Sequence, residues 1–121
     1  KVSGGLLTDL ESAIKPYKGV DLLTARVDAD LSVVKNIAFS LIKNNKKVLA
    51  VLGSTAEGKA FLTVAIGEKA IKTNKLNAGS LIRELAKEIK GGGGGQPHFA
   101  TAGGKDPSGI QAALDKVKTL I

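Results

Sequence analysis

No cysteine, methionine or tryptophan occurs among the 121 residues, and there is one histidine, His98. Without cysteine the chain has no disulfide framework and no thiolate nucleophile, and a lone imidazole does not supply the usual zinc ligand sets. Aromatic rings are scarce as well: Tyr17, Phe39, Phe61 and Phe99. The three phenylalanines sit in apolar surroundings and read as core residues, which argues against single-strand binding by aromatic stacking. The longest wholly apolar run, Val48 to Leu52, is far short of the roughly 20 residues of a membrane-spanning helix. No basic start followed by an apolar stretch and a small-residue cleavage site marks a secretory leader. A cytoplasmic location with no membrane partner is therefore expected. The chain opens on Lys1 rather than Met and reads as a piece of a longer polypeptide.

What is present is basic charge, a moderate apolar content and glycine. Eighteen Lys and Arg against eleven Asp and Glu give a net charge of +7. The surplus is spread along both halves, with nine basic and six acidic residues up to residue 60 and nine and five beyond it. Such an excess attracts phosphates and other polyanions, and its pull fades as salt rises. With 43% hydrophobic residues the chain can bury one core of ordinary density.

Apolar spacing gives the order of elements. Leu6, Leu7, Leu10 and Ile14 fall on one helical face, so residues 5 to 15 are expected as an amphipathic helix, the end of a longer one from upstream. Residues 1 to 17 then precede a globular domain over 18 to 121. A strand is expected over Val20 to Val27, then a helix capped by Asp28 or Asp30 with Leu31, Val34, Ile37, Ala38, Leu41 and Ile42 inward. Asn44-Asn45 suits a left-handed C-terminal turn. The continuous apolar run Lys47 to Gly53 reads as a central strand buried on both faces. A loop over Ser54 to Gly58 joins it to a second run, Ala60 to Ile66, in an antiparallel hairpin. A third helix runs from an Asn77 cap to about Lys90, burying Leu81, Ile82, Leu85 and Ile89. Asp106 and Pro107 open a last helix through Ile110, Leu114, Val117 and Ile121. The expected class is α/β, of the α+β kind. Its small mixed sheet has a central antiparallel hairpin, flanked by helices, with a glycine-rich turn before the last helix.

Candidate chemistry concentrates around that turn. Five consecutive glycines, Gly91, Gly92, Gly93, Gly94 and Gly95, are costly to order, since each loses much backbone freedom. Close approach of backbone to an anion is one compensation, with successive N–H groups forming a concave nest; a flexible linker is the bland alternative. The standard nucleotide loops do not fit. A P-loop ending at Gly104-Lys105 requires Gly at 99 and Ser or Thr at 106, where the chain has Phe99 and Asp106, and the glycines follow a helix rather than a strand. Arg83, Lys87 and Lys90 stack on one side of the preceding helix, partly neutralised by Glu84 and Glu88. His98 has no orienting carboxylate and nucleophile around it, so it reads as a loop hydrogen-bonder or a nucleic-acid contact rather than a general base.

Several segments together resemble the C-terminal, DHHA1-type domain of alanyl-tRNA synthetases. They are Val48 to Val51, Glu57-Gly58-Lys59, Asn77 to Ile82, Gly91 to Gly104 and Ala112 to Val117. The resemblance covers roughly residues 18 to 121. The same domain type follows the catalytic domain of DHH phosphoesterases, where Gly-Gly-His precedes Ala-Ala-Gly. Here Gln96-Pro97 separates the glycines from His98, which favours the synthetase. The resemblance implies a tRNA-binding domain with no active site of its own, holding the tRNA elbow and helping bring aminoacylation and editing domains onto one tRNA. ATP and zinc then belong to the rest of the parent enzyme, and the fragment carries no cofactor. Expected contacts with tRNA are Arg83, Lys87, Lys90, Gly91 to Gly95, Gln96, His98 and Lys105. Two other readings are a dimerisation module, motivated by Leu6 to Ile14 and implying a homodimer, and the nucleic-acid-binding domain of a phosphoesterase.

Overall fold

The structure is a computed structural model that describes residues 12–27 and 30–120, apart from the side chains of residues 56 and 74. Six strands and four α-helices are found among them: β1 (Lys15–Tyr17), β2 (Val20–Arg26), α1 (Leu31–Asn44), β3 (Val48–Ala56), β4 (Lys59–Ile66), α2 (Glu68–Asn74), α3 (Ala78–Ala86), β5 (Gly91–Gln96), β6 (Phe99–Gly104) and α4 (Ile110–Leu120). One-turn 3₁₀ segments, Lys87–Ile89 and Pro107–Gly109, end α3 and precede α4. The strands form one sheet in the order β1-β2-β3-β4-β6-β5, with β2 and β3 parallel and every other pair antiparallel. The mixed α+β class expected from the sequence is the one observed.

β3 and β4 lie at the centre for the reason their composition suggested: side chains of both are buried on both faces. Leu49 and Val51 join Leu62, Val64 and Ile66 on one face, under Leu81, Ile82 and Leu85 of α3 and Ala113, Leu114 and Val117 of α4. Val48, Ala50 and Leu52 lie on the other, against Val34, Ile37, Ala38 and Leu41 of α1. No helix among the described residues is long and apolar enough to cross a membrane.

Several expected boundaries move. Ser12 and Ala13 are helical but the chain is already extended at Lys15, because a residue before proline is pushed out of the helical region. The rest of the expected amphipathic helix, residues 5–11, lies outside the described residues. Ser54 to Ala56 belong to β3, and the hairpin closes at Glu57-Gly58 alone. Both of these residues have positive φ, 52° and 77°, as a two-residue turn matched to strand twist requires. Polar Ser54 suggested loop, yet it is 2% exposed.

Asn45 is extended (φ −139°, ψ 108°) rather than left-handed. Its side chain explains the choice: Nδ2 donates to Asp21 Oδ2 at 2.9 Å and Oδ1 accepts from the Lys47 N–H at 2.9 Å. The helix α2 was not expected from the sequence. It has seven residues and an N-cap, Gly67, with no side chain to offer. Its first turn is held by the chain itself, since the Lys46 carbonyl accepts from the Lys69 and Ala70 N–H groups at 2.8 and 3.1 Å.

Candidate nucleic-acid interface

The five glycines are not a turn. They form β5, the edge strand, paired in register with β6 from Gly91↔Gly104 to Gln96↔Phe99, and the reversal is made by Pro97 and His98. Among the described glycines, those with positive φ are Gly19 and Gly58. Successive N–H groups of an extended strand point to opposite edges, so the run does not form the concave nest expected of it. Pairing with β6 and packing beneath α3 offset the cost of ordering it.

Alternate glycines have different reasons. A Cβ on Gly91, Gly93 or Gly95 would come within 1.9, 2.2 or 2.5 Å of a β6 carbonyl oxygen, far inside van der Waals contact. Side chains are excluded there by the backbone itself. Gly92 and Gly94 are the opposite case, since a Cβ on either meets nothing within 4 Å. Packing does not demand glycine at those two positions. They pair with Gly103 and Thr101, and directly paired residues share a face of the sheet. Phe99, two residues before Thr101, places that face on the α1 side: its ring stacks on Phe39 of α1, centroids 4.3 Å apart and planes 10° from parallel.

The result is a groove of about 310 Å³ with Lys35 and Phe39 on its helical wall, Gly94, Gly95 and Thr101 along its floor, and Gln96 and His98 at the hairpin tip. The tip is fixed from both sides. The Pro97 carbonyl accepts from the Ala78 N–H at 2.8 Å, and the His98 carbonyl accepts from the Ile66 N–H at 2.9 Å.

Of the residues expected to touch RNA, the fold gathers Gly94, Gly95, Gln96 and His98 in this groove. Arg83 is exposed on α3, which packs on the other face of the sheet, and Lys87 is exposed in the 3₁₀ turn that ends it, its Nζ 3.1 Å from Glu84 Oε2. Lys90 and Lys105 stand at the far end of the hairpin, where Gly91 pairs with Gly104. There the hydroxyl of Ser108 donates to Asp106 and holds its carboxyl below the ordinary value; burial opposes this, while the Ser108 N–H and the charge of Lys90 add to it. The expected cations thus do not form one patch with the glycines.

Phe39 corrects another expectation. It is not a core residue but 47% exposed, while Phe99 is partly buried behind it. Lys35, Phe39 and Lys43 are spaced i, i+4 and i+8, one stripe of α1 beside the buried stripe of Val34, Ile37, Ala38 and Leu41. That aromatic residue between two lysines, off the apolar stripe, was the signal available in the sequence.

Comparison with known proteins is consistent with this architecture. A family model described as the DHHA1 domain matches residues 19–121. An alanine–tRNA ligase of Christiangramia forsetii is 42% identical over 116 residues, covering 96% of this chain and 13% of the ligase. One of Anaeromyxobacter dehalogenans is 40% identical over 112 residues, 93% of this chain and 12% of the ligase. The chain therefore spans about an eighth of the length of these relatives. Among solved structures, the C-Ala domain of Aquifex aeolicus alanyl-tRNA synthetase superposes with a TM-score of 0.73 at 28% identity, covering 88% of this chain and 97% of that one. A pGpG-specific phosphodiesterase shares the fold at a TM-score of 0.56 and 12% identity, covering 98% of this chain and 40% of its own. With the family model matching all but the first 18 residues, the chain belongs to the DHHA1 domain family.

Proposed function

We propose that this domain is the tRNA-holding part of an alanine–tRNA ligase, gripping the tRNA elbow and so helping bring the aminoacylation and editing domains of the same polypeptide onto one tRNA in the cytoplasm. The observation that carries the reading is the bare face of Gly92 and Gly94. It has room for side chains and carries none, which lets a nucleic-acid backbone come within contact distance of the protein main chain. Lys35 stands on the facing wall of the groove, and the net charge of +7 supplies long-range attraction. The similarity to alanine–tRNA ligases favours tRNA among RNAs.

Binding of tRNA by the chain, titrated across salt concentrations, tests this. Affinity is expected to fall linearly on a log–log plot, and Lys35→Gln to reduce the slope by about one if that lysine meets a phosphate. Lys87→Gln and Lys90→Gln report in the same way on whether the α3 side also meets the RNA. Undetectable binding at low salt, or a flat slope, overturns the reading. Tight binding of short single strands with indifference to a tRNA fold would instead place the domain with the phosphoesterases.

A further inference from the structure

Beside the glycine groove, and sharing Phe39 and His98 with it, lies a second and larger cavity of about 570 Å³ between the C-terminal end of α1 and helix α2. Its volume falls in the range of about 300–1,000 Å³ typical of small-molecule sites. Its surface is mostly apolar, with Phe39 and Ile71 facing it from the two helices, and its charged lining is Lys43, Lys46 and Lys72 against one acid, Glu68. No acidic side chain among the described residues forms an ion pair with any of the three lysines. The backbone of Lys46 is held beside the cavity, because its carbonyl accepts from two N–H groups in the first turn of α2. One face of the Phe39 ring is covered by Phe99, so its exposed surface is the rim and the opposite face.

An apolar cavity with a half-exposed ring and three lysines against one acid matches an occupant that is flat and apolar at one end and anionic at the other. We propose that this cavity takes one unpaired nucleotide of the bound RNA, its base against Phe39 and Ile71 and its phosphate among Lys43, Lys46 and Lys72. The strand on either side of that nucleotide would continue across Gly94 and Gly92. RNA recognition commonly uses splayed-out bases stacked on aromatic rings, and here the ring is presented at the boundary of both cavities. This inference rests on the RNA-binding reading above and adds a base-recognition site to it.

The test uses 2-aminopurine riboside 5′-monophosphate as a fluorescent probe, titrated with the 121-residue chain. Saturable quenching is expected, competed by adenosine monophosphate and far less by inorganic phosphate or by adenosine, each of which supplies only half of the chemistry. Phe39→Ala should weaken binding by about tenfold, the scale of one lost base–aromatic stack, and Phe39→Trp should restore it. Lys72→Glu, a change at an exposed position, should weaken it independently, and thermal melts of each variant establish that the chain is folded. Absence of saturable quenching, or quenching unchanged by both Phe39→Ala and Lys72→Glu, overturns the proposal. So does displacement of the probe by decanoate but not by adenosine monophosphate, which would identify a lipid-like occupant. The same proteins titrated with tRNA separate the two claims. Salt-dependent tRNA binding without nucleotide binding sinks the cavity and leaves the groove, whereas nucleotide binding without tRNA binding does the reverse.

Discussion

The Ala78 N–H donates to the carbonyl oxygen of Pro97 at 2.8 Å, tying the first residue of α3 to the tip of the glycine hairpin. One residue earlier, Asn77 Oδ1 accepts from the Ser80 N–H at 3.1 Å and caps the helix. The helix start and the hairpin tip are therefore a single unit. Asn77→Ala should cost about 1 kcal/mol in chemical denaturation, and Asn77→Asp only a fraction of that. Faster hydrogen exchange of the Ala78 amide in the alanine variant would show the tip loosening with the cap. Equal stability of the two variants would mean the cap contributes nothing.

The alternation of roles along β5 gives a second prediction. Gly93→Ala forces a Cβ to within 2.2 Å of the Thr101 carbonyl oxygen and 2.5 Å of the Ala102 Cα, and should destabilise the domain by about 1–3 kcal/mol, the usual cost of overpacking. Gly94→Ala meets open space and should leave stability unchanged or raise it by up to about 1 kcal/mol, since alanine narrows the unfolded ensemble. Thermal unfolding of the two single variants distinguishes them, and similar losses in both would contradict the geometry.

A third prediction concerns acid. Asp106 caps the 3₁₀ turn before α4 through the Ser108 N–H at 3.1 Å and also accepts from the Ser108 hydroxyl, which lowers its pKa below the ordinary 3.8. A carboxyl with a depressed folded-state pKa stabilises the fold fully above its unfolded value, and the contribution is lost as pH falls through the lower folded value. The affected window therefore lies below pH 3.8. In Ser108→Ala the Asp106 carboxyl should titrate closer to that ordinary value by NMR. An unmoved titration would show that the hydroxyl is not the cause.

Much of this was legible in the sequence because periodicity and burial agree. β3 reads as an unbroken apolar run and is buried on both faces; α1 and α3 read as apolar stripes and bury those stripes. What was not legible depends on partners distant in sequence. Helix α2 is held by the carbonyl of Lys46 rather than by its own propensity. The glycine run has no side chains to show a period, so only its pairing with β6 makes it a strand. Phe39 counted as core because phenylalanine usually is, and its exposure follows from where Phe99 meets α1. The helical stripe expected of Arg83, Lys87 and Lys90 is cut short, since α3 ends at Ala86, Lys87 lies in the 3₁₀ turn and Lys90 is left-handed (φ 54°), and the sheet separates Arg83 and Lys87 from the α1 groove.

The most direct test of the central claim, that the bare face of β5 is where RNA approaches, is the affinity for tRNA of the double variant Gly92→Val, Gly94→Val. A Cβ at either position meets nothing within 4 Å and valine suits a strand, so the melting temperature should be kept. The bulk on the bare face of β5 should lower tRNA affinity by about tenfold or more, the equivalent of losing at least one good contact of about 1.4 kcal/mol. A folded double variant that binds tRNA as well as the parent would contradict the account.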